Sequence, residues 1–329
     1  MNSRRGVKIV LAATLITAAL ASGCGKSDYQ AESYVYKEVG GCNLQADVLR
    51  IPTEEPQPAI LWFHPGGLIT GSRGWIDRDH ILRYVQAGYT VVALDYRLAP
   101  ETKLAEIVED VADGYAWLRE QGPQSFNIDP QRIALVGHSA GGYLALTAGF
   151  TLEPRPMAIV SFYGYGDISG LWYSQPSPFY SQQDEVSEEV ALADIQSNGM
   201  PCGLSADQLD SRFQFYVRTR QLGTWPLEVS GHDPAQEVAW FRAFEPIQNM
   251  DASYPPTLLL HGQSDEDVPF EQAEGLAAAL DAAGVEHELI SDPSWGHMFD
   301  QAFAGEPAVD AALEGVIAFL DAHLGQQGP

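Results

Sequence analysis

Along most of this chain of 329 residues, short apolar segments typical of buried strands alternate with longer segments typical of amphipathic helices. The strand-like runs lie at 59–63, 89–95, 133–136, 158–162, 256–260 and 287–290. The helix-like segments lie at 76–87, 104–119, 271–283 and 307–324, with a further helix predicted from Gly142 onward. Parallel strands need crossover connections, and the crossover helices cover the two faces of the sheet. The alternation therefore predicts an α/β fold with a mostly parallel central sheet.

Two more strand-like runs precede this series, at 32–39 and 43–50. They are joined by Gly40 and Gly41, a pair typical of a tight hairpin turn. We therefore expect an antiparallel hairpin at one edge of the sheet, which makes 158–162 the sixth strand.

The alternation is interrupted between residues 163 and 254, a length that is uncommon for a connecting loop. Seven of the nineteen residues at 162–180 are aromatic, and 205–221 and 234–244 are helix-like. We interpret 163–250 as a cap inserted after the sixth strand, with 31–162 and 251–329 forming the core domain. The aromatic residues either line a substrate pocket, for which Tyr163, Trp172 and Tyr173 are the candidates, or form the core of the insertion itself.

The amino terminus has the pattern of a secretory signal at 1–23: three basic residues, then an apolar run too short to span a membrane. Its ending, Leu-Ala-Ser-Gly-Cys, resembles a bacterial lipoprotein signal, which implies cleavage before Cys24 and lipid attachment to its sulfur. Residues 24–30 would then form a short tether. By the same resemblance, Gly25 after the cysteine favours the outer membrane. We expect an exported protein, anchored to a membrane through this lipid or secreted.

Without residues 1–23 the chain keeps 15 basic against 44 acidic residues, a net charge of −29. So negative a protein is a poor ligand for nucleic-acid backbones and for anionic membrane surfaces. Cys42 and Cys202 remain as well, and in an oxidising compartment they either pair or stay as two buried thiols.

The segment Ala-Leu-Val-Gly-His-Ser-Ala-Gly-Gly-Tyr, at 134–143, places a serine where a strand-like run meets a helix-like run. Gly137 and Gly141 flank Ser139 in the pattern Gly-x-Ser-x-Gly, in which glycines allow close backbone approach in a sharp turn. A serine presented in this way is a candidate nucleophile, whereas the same pattern alone also fits an ordinary glycine-rich turn.

A serine hydroxyl needs a base to accept its proton and an acid to orient that base. In the expected fold the chain order is serine, acid, histidine. Asp265 follows the strand 256–260, and His297 follows the strand 287–290, so both lie at strand ends where open α/β sheets place their chemistry. We predict a triad of Ser139, Asp265 and His297. Asp267 is the alternative acid, although its position before Val268 and Pro269 also fits a turn.

The remaining histidines show no spacing typical of metal ligands, so neither a metal nor a cofactor is expected. His138 and His261 flank the motifs, where we expect them to pack or to orient loops. His80, His232, His287 and His323 lie in segments without catalytic neighbours.

The loop after the third strand, at 64–73, is rich in glycine. Its backbone N–H groups at Gly66 and Gly67, with that of Ala140 after the nucleophile, are candidates to stabilise the negative oxygen of a tetrahedral intermediate. Pro65 has no N–H and cannot take part. A tight loop that needs glycine for its geometry alone is the other interpretation.

Taken together, five motifs resemble the α/β-hydrolases of the esterase–lipase kind: His-Pro-Gly-Gly at 64–67, Asp-Tyr-Arg-Leu-Ala-Pro-Glu at 95–101, and those at 137–142, 261–269 and 296–299. The resemblance is to the hormone-sensitive-lipase-like group and to feruloyl and acetylxylan esterases. It implies an α/β-hydrolase fold, and a bracing role for Arg97 and Glu101 at the oxyanion loop. Pro65 stands where these enzymes usually have a glycine. The loop that carries Asp265, at 261–269, is more similar to that of prolyl oligopeptidases and feruloyl esterases than to that of the lipases.

The function expected from the motifs and the resemblance is the hydrolysis of small soluble carboxylic esters, short-acyl or aromatic, through an acyl-enzyme. A serine peptidase similar to prolyl oligopeptidases is one alternative, although such enzymes usually carry a large additional domain. A non-catalytic binding protein on a hydrolase scaffold is the other, and the complete set of Ser139, Asp265 and His297 argues against it.

Overall fold

The computed structural model describes residues 29–195 and 204–325. Eight strands form one sheet within these ranges: β1 (Gln30–Val39), β2 (Cys42–Arg50), β3 (Gln57–Phe63), β4 (Thr90–Leu94), β5 (Ile128–His138), β6 (Ala158–Phe162), β7 (Thr257–Gly262) and β8 (His287–Asp292). Their order across the sheet is β1-β2-β4-β3-β5-β6-β7-β8. The α/β prediction is confirmed.

The pairing divides the sheet into an antiparallel edge and a parallel body. β1 pairs with β2, and β2 with β4, in antiparallel orientation, whereas β4, β3, β5, β6, β7 and β8 run parallel to one another. Gly40 and Gly41 form the predicted hairpin turn, with φ of 58° and 82°. All residues of β4, β6 and β7 are buried, as expected for parallel strands covered on both faces.

Twelve α-helices lie in the described ranges: α1 (Arg78–Gln86), α2 (Leu104–Ser125), α3 (Ala140–Thr151), α4 (Leu171–Ser174), α5 (Glu188–Ala191), α6 (Ala206–Leu222), α7 (Trp225–Ser230), α8 (Val238–Arg242), α9 (Pro246–Asn249), α10 (Glu271–Ala283), α11 (Phe299–Ala302) and α12 (Pro307–Leu324). Two 3₁₀ helices occur at Arg73–Trp75 and Tyr180–Gln182. None of these helices is both long and apolar enough to cross a lipid bilayer.

Two apolar clusters, one on each face of the sheet, hold the layers together. Leu61 and Leu135 point into the cluster that contains α2 and α3, whereas Ile60 and Ala134 point into the cluster that contains α1 and α12. Successive side chains of one strand point to opposite faces, so the apolar runs of the parallel strands supply both cores.

The segment between β6 and β7 is the insertion, and it contains α4 to α9. Its helix α6 matches the predicted segment 205–221, but the predicted helix at 234–244 is shorter than expected, and only Val238–Arg242 is helical. Asp233 and Glu237 instead cap turns before α8, because their carboxylates accept backbone N–H groups.

Cys42, at the start of β2, is disulfide-bonded. Cys24 and Cys202 both lie outside the described residues, as do the predicted signal segment and all of the predicted tether except its last two residues.

Candidate active site

Ser139 lies at the junction of β5 and α3, and it has a φ of 53° and a ψ of −118°. A non-glycine residue rarely adopts a positive φ, so this backbone is strained. The strained conformation is held in part by a hydrogen bond from the N–H of Ser139 to the carbonyl oxygen of Phe162, at 2.8 Å. The turn therefore presents the serine side chain at the carboxyl edge of the sheet.

The glycines around Ser139 are required by close backbone contacts. A Cβ atom at Gly137 would lie 2.0 Å from the carbonyl oxygen of Gly141, and one at Gly141 would lie 2.1 Å from that of Phe63. A Cβ at Gly142 would lie 2.7 Å from the hydroxyl of Ser161. The pattern Gly-x-Ser-x-Gly thus lets α3 begin directly against β3, β5 and β6.

Asp265 and His297 lie beside Ser139, in the loops that follow β7 and β8. The Nε2 atom of His297 lies 3.1 Å from Oγ of Ser139, and its Nδ1 atom lies 2.7 Å from Oδ2 of Asp265. The other carboxylate oxygen of Asp265, Oδ1, accepts the backbone N–H groups of Asp267 and Val268, each at 2.9 Å. The structure thus brings the three predicted residues together as a chain of hydrogen bonds.

The negative charge of Asp265 and the positive charge of protonated His297 stabilise each other. Burial by itself raises the pKa of Asp265, but the charge of His297 and hydrogen bonds from His261 and His297 hold it well below its usual range. Burial by itself lowers the pKa of His297, but the charge and hydrogen bond of Asp265, with the charge of Asp267, raise it above 6.5. Asp265 is therefore ionised where His297 accepts a proton.

Asp267, the alternative acid, lies on the other side of the imidazole. Its Oδ2 atom is 3.8 Å from Nε2 of His297, the nitrogen that faces Ser139. Its Oδ1 atom accepts hydrogen bonds from Tyr216 at 2.8 Å and from Arg220 at 2.6 Å, both in α6. Only Asp265 is placed to orient the histidine through Nδ1.

The loop after β3 lies next to this triad because β3 pairs with β5 in parallel, with Phe63 opposite Gly137. Gly66 and Gly67 have φ of 120° and 62°, and a Cβ at Gly66 would lie 2.1 Å from the carbonyl oxygen of Thr70. The backbone geometry of this loop thus requires glycine, which agrees with the interpretation of a tight loop.

Backbone N–H donors are free both in this loop and directly after Ser139. Throughout the described part of the chain, the backbone N–H groups of Gly66, Gly67 and Ala140 are donated to no acceptor. Ala140 is the first residue of α3, and the first N–H groups of a helix have no partner within it. Three unused donors thus lie in the two segments that adjoin Ser139.

Two helices of the insertion hold this loop in place. The indole N–H of Trp225 donates to the carbonyl oxygen of Gly67 at 2.8 Å, and Nε of Arg212 donates to that of Ile69 at 2.7 Å. Trp225 and Arg212 are both buried. The sequence does not indicate these contacts, because nothing near either residue marks it as a partner of a loop about 140 residues or more away.

Of the two residues expected to brace the loop, only Glu101 is connected to it. Glu101 accepts two hydrogen bonds from Arg212, each at 2.9 Å, and Arg212 also donates to the carbonyl oxygen of Ala99. Arg97 instead donates to the buried carboxylate of Asp110 in α2, at 2.7 and 2.8 Å. The expectation for Arg97 is wrong, because its guanidinium points towards α2.

His64, the first residue of the His-Pro-Gly-Gly motif, is buried and stacks on Tyr96 with 4.0 Å between the ring centroids. Its Nδ1 atom lies 2.7 Å from the carbonyl oxygen of Pro65. Burial lowers the pKa of His64 to about 4, so the ring stays neutral at pH 7. Its place in the structure is that of a support for the loop.

A match to a known family covers residues 60–301, and the description of that family is the alpha/beta hydrolase fold. This is about three quarters of the chain and includes every residue of the site described above. The chain belongs to the alpha/beta hydrolase fold family.

Solved structures agree with this assignment. An alpha/beta hydrolase superfamily protein from Enterococcus faecalis is 24% identical, with a TM-score of 0.69 over 89% of this chain and 99% of that one. A thermophilic esterase from Thermogutta terrifontis, with butyrate bound, is 23% identical, with a TM-score of 0.62 over 91% of this chain and 96% of that one. The second of these proteins has also been solved after phosphoramylation by tabun.

Among curated proteins, the non-reducing polyketide synthase Preu6 of Preussia isomera is 28% identical over 309 residues, covering 84% of this chain. The match covers 14% of that synthase, so this chain spans a small part of its length.

In this alpha/beta hydrolase, the three aromatic pocket candidates lie in two places. The ring of Tyr163 packs edge-on against that of His297, with 4.7 Å between centroids. Trp172 and Tyr173 stack on each other within the insertion, at 3.7 Å, and Tyr173 stacks on Trp225 at 4.0 Å. Tyr163 thus contacts the triad, whereas Trp172 and Tyr173 pack in the aromatic core of the insertion.

A buried polar cluster that no pattern in the sequence indicates lies behind Tyr163. Its hydroxyl donates to Oδ1 of Asp300 at 2.8 Å. Oδ2 of Asp300 lies 3.1 Å from Nε2 of His80 and 3.3 Å from Nε2 of His138. In the sequence, the one feature that connects this cluster with the triad is the position of Asp300, three residues after His297.

His80, His138 and Asp300 are close enough together to hold a metal ion. However, the indole N–H of Trp62 donates to Nδ1 of His138 at 3.0 Å, so this nitrogen carries no proton. A neutral His138 therefore carries its proton on Nε2, the atom that faces Asp300. These contacts fit a hydrogen-bonded support for Tyr163 better than a metal site.

Proposed function

We propose that this protein is a serine hydrolase that cleaves small carboxylic esters through an acyl-enzyme. The observation that carries the proposal is the chain of hydrogen bonds from Ser139 through His297 to Asp265, at 3.1 and 2.7 Å. The order of these residues along the chain and their place at strand ends fit the family.

In the acylation step, Oγ of Ser139 attacks the ester carbonyl carbon while its proton passes to Nε2 of His297. Asp265 stabilises the resulting imidazolium through Nδ1. The carbonyl oxygen becomes negative and accepts hydrogen bonds from the N–H groups of Gly66, Gly67 and Ala140, which have no other acceptor in the described part of the chain. The C–O bond to the alcohol then breaks, and the leaving oxygen takes the proton from His297.

In the second step a water molecule attacks the acyl-serine, and His297 takes one of its protons. The second tetrahedral intermediate uses the same three N–H donors. When it collapses, the carboxylic acid leaves and the proton returns from His297 to Oγ of Ser139. The net reaction is the addition of one water molecule across the ester bond, with no cofactor.

The comparisons support an ester substrate of modest size. The structurally similar protein from Thermogutta terrifontis is an esterase that has been solved with butyrate bound, and with the organophosphate adduct of tabun. We infer a short-acyl or aromatic ester for this chain too. Tyr163 and Tyr173 are fully buried, so among the three aromatic candidates only the half-buried Trp172 is exposed enough to contact such a substrate.

The test uses a p-nitrophenyl ester of a short acid. Hydrolysis by the wild-type chain, its loss in Ser139→Ala with an unchanged circular dichroism spectrum, and organophosphate labelling on Ser139 alone would support the proposal. The exposed serine variant Ser253→Ala is a matched control and should keep full activity. Activity in Ser139→Ala, or label on another serine, would overturn it.

The same experiment separates the alternatives. A peptidase of the prolyl-oligopeptidase kind would cleave proline-containing peptides faster than esters with matched leaving groups. A binding protein would show neither turnover nor a burst of nitrophenol. The N–H donors beside the triad argue for turnover, because a binding site for neutral ligands has no need of three free donors there.

For location, we propose export and a lipid anchor on Cys24, from the signal pattern at 1–23. The anchor would hold the enzyme at the outer membrane of a bacterium, while the net charge of −29 keeps its body away from anionic headgroups. Its substrates would then be diffusing esters. Cell fractionation of Cys24→Ser tests this: a variant that still partitions with membranes contradicts the anchor.

A further inference from the structure

Asp267 is a second carboxylate beside the catalytic histidine, and it lies on the side where the reaction takes place. Asp265 approaches Nδ1 of His297, whereas Oδ2 of Asp267 lies 3.8 Å from Nε2. Nε2 is the atom that must return a proton to the leaving oxygen of an ester. Any leaving group in hydrogen-bond contact with Nε2 is therefore also close to Asp267.

The insertion fixes which oxygen of Asp267 faces the histidine. Arg220 donates to Oδ1 from NH1 at 2.6 Å and to the backbone oxygen of Asp267 from NH2 at 3.1 Å. Tyr216 donates to Oδ1 at 2.8 Å. Because both side-chain donors hold Oδ1, Oδ2 is the oxygen turned towards Nε2.

The donors are themselves immobilised. Arg220 is buried, and its guanidinium lies over the rings of Trp172, Tyr173, Tyr180 and Tyr216, at 4.6 to 5.7 Å from the ring centroids. Asp267 is thus held by a rigid cationic partner that cannot swing away to release it. The side chains of Asp267 and His297 nevertheless keep 12% and 18% of their surface exposed, so a small ligand reaches both.

We infer that Asp267 is a specificity-determining residue that accepts a hydrogen bond from the alcohol part of the substrate. The preferred ester then carries a hydroxyl or ammonium group on the carbon next to the one that bears the ester oxygen. A plain alkyl ester leaves Oδ2 of Asp267 without this partner, and a carboxylate at the same position is repelled by it. The inference rests on the proposed ester hydrolysis and narrows its substrate class.

The experiment compares two esters of nearly equal size, 2-hydroxyethyl butyrate and n-propyl butyrate, with the full chain. Each kcat/KM value is divided by the rate of hydroxide-catalysed hydrolysis of the same ester, which removes intrinsic reactivity. We expect the wild-type enzyme to prefer the hydroxyethyl ester by about tenfold or more, the effect of one hydrogen bond to a charged acceptor.

The variant Asp267→Asn should bring this ratio close to one. Arg220 and Tyr216 both need an acceptor, so the amide oxygen of the asparagine stays where Oδ1 was. Its NH2 group then replaces Oδ2 and no longer accepts the substrate hydroxyl. Glu266→Gln is the matched control, because Glu266 is the exposed neighbour in the same loop and undergoes the same change of charge. It should keep the wild-type ratio.

The outcomes distinguish the two proposals. If p-nitrophenyl butyrate is hydrolysed but the wild-type ratio is near one, the inference about Asp267 is wrong and the ester hydrolase stands. A ratio that stays high in Asp267→Asn also overturns it, since another group would then bind the hydroxyl. If no ester is hydrolysed, the proposed function falls and the inference falls with it. If Asp267→Asn does not fold, the preference of the wild-type enzyme for the hydroxyethyl ester still tests the inference.

Discussion

The indole N–H of Trp225, in the insertion, donates to the carbonyl oxygen of Gly67, in the loop after β3, with 2.8 Å between the two atoms. Trp225 is fully buried, so water does not compete with its indole N–H for this carbonyl oxygen. The loop that carries two of the proposed oxyanion donors is therefore shaped in part by a residue outside the core domain.

From this contact we expect Trp225→Phe to lower kcat about tenfold with little change in KM, because the N–H groups of the loop act mainly on the charged intermediate. The variant should also melt at a lower temperature, since a buried acceptor is left unsatisfied, at a cost of about 1–3 kcal/mol. Steady-state kinetics with a p-nitrophenyl ester and calorimetry measure both effects. Trp240→Phe, at a half-buried tryptophan elsewhere in the insertion, should change neither. A pure KM effect would contradict the role given to the loop.

The two aspartates of the acid loop should differ greatly in their effect on turnover. Asp265→Asn should lower kcat on the order of ten-thousandfold, because the amide no longer holds His297 in the tautomer that accepts a proton at Nε2. Asp267→Asn should cost far less on the same p-nitrophenyl ester, since Asp267 makes no contact with Nδ1. Equal losses in the two variants would leave the acid unassigned.

The pH dependence follows from the surroundings of His297. The charged groups that face it are Asp265, Asp267 and Arg220, and their sum, against burial, raises the pKa of His297 above 6.5. The base must be neutral to act. We therefore expect kcat/KM to be low where His297 is protonated and to rise as the pH increases through the raised pKa of His297. Removing the negative charge in Asp267→Asn should move this limb to lower pH, because a positive imidazole is then less favoured. A limb that does not move, or moves upward, contradicts the assignment.

The close contacts at the turn that carries Ser139 predict a loss of stability when a glycine there is replaced. Gly137→Ala would place a Cβ atom 2.0 Å from the carbonyl oxygen of Gly141, and the backbone on both sides would have to shift. We expect a fall in melting temperature of several degrees or loss of soluble protein, together with loss of activity. Gly74→Ala is the control, since its Cβ would meet nothing closer than 3.7 Å. An unchanged melting temperature in Gly137→Ala would show that the turn at Ser139 is looser than these distances require.

The sequence by itself determined the parts of this protein that depend on local chemistry. The periodicity placed β6, α10 and α12 at the bounds seen in the structure, because burial on one or two faces leaves a pattern in consecutive residues. Glycine-rich patterns located the hairpin at Gly40 and the turn at Ser139, because positive φ and close backbone approach both favour glycine. The order of Ser139, Asp265 and His297 followed from their positions after strands.

The tertiary structure decided everything that depends on which distant side chains meet. Asp265 and Asp267 are two residues apart in one loop, and only the path of that loop places one carboxylate at Nδ1 and the other near Nε2. Trp225 reaches Gly67 across 158 positions of the chain, and Arg97 turns to Asp110 instead of the loop. Such contacts arise from the packing of whole elements, which no periodicity or turn pattern in consecutive residues encodes.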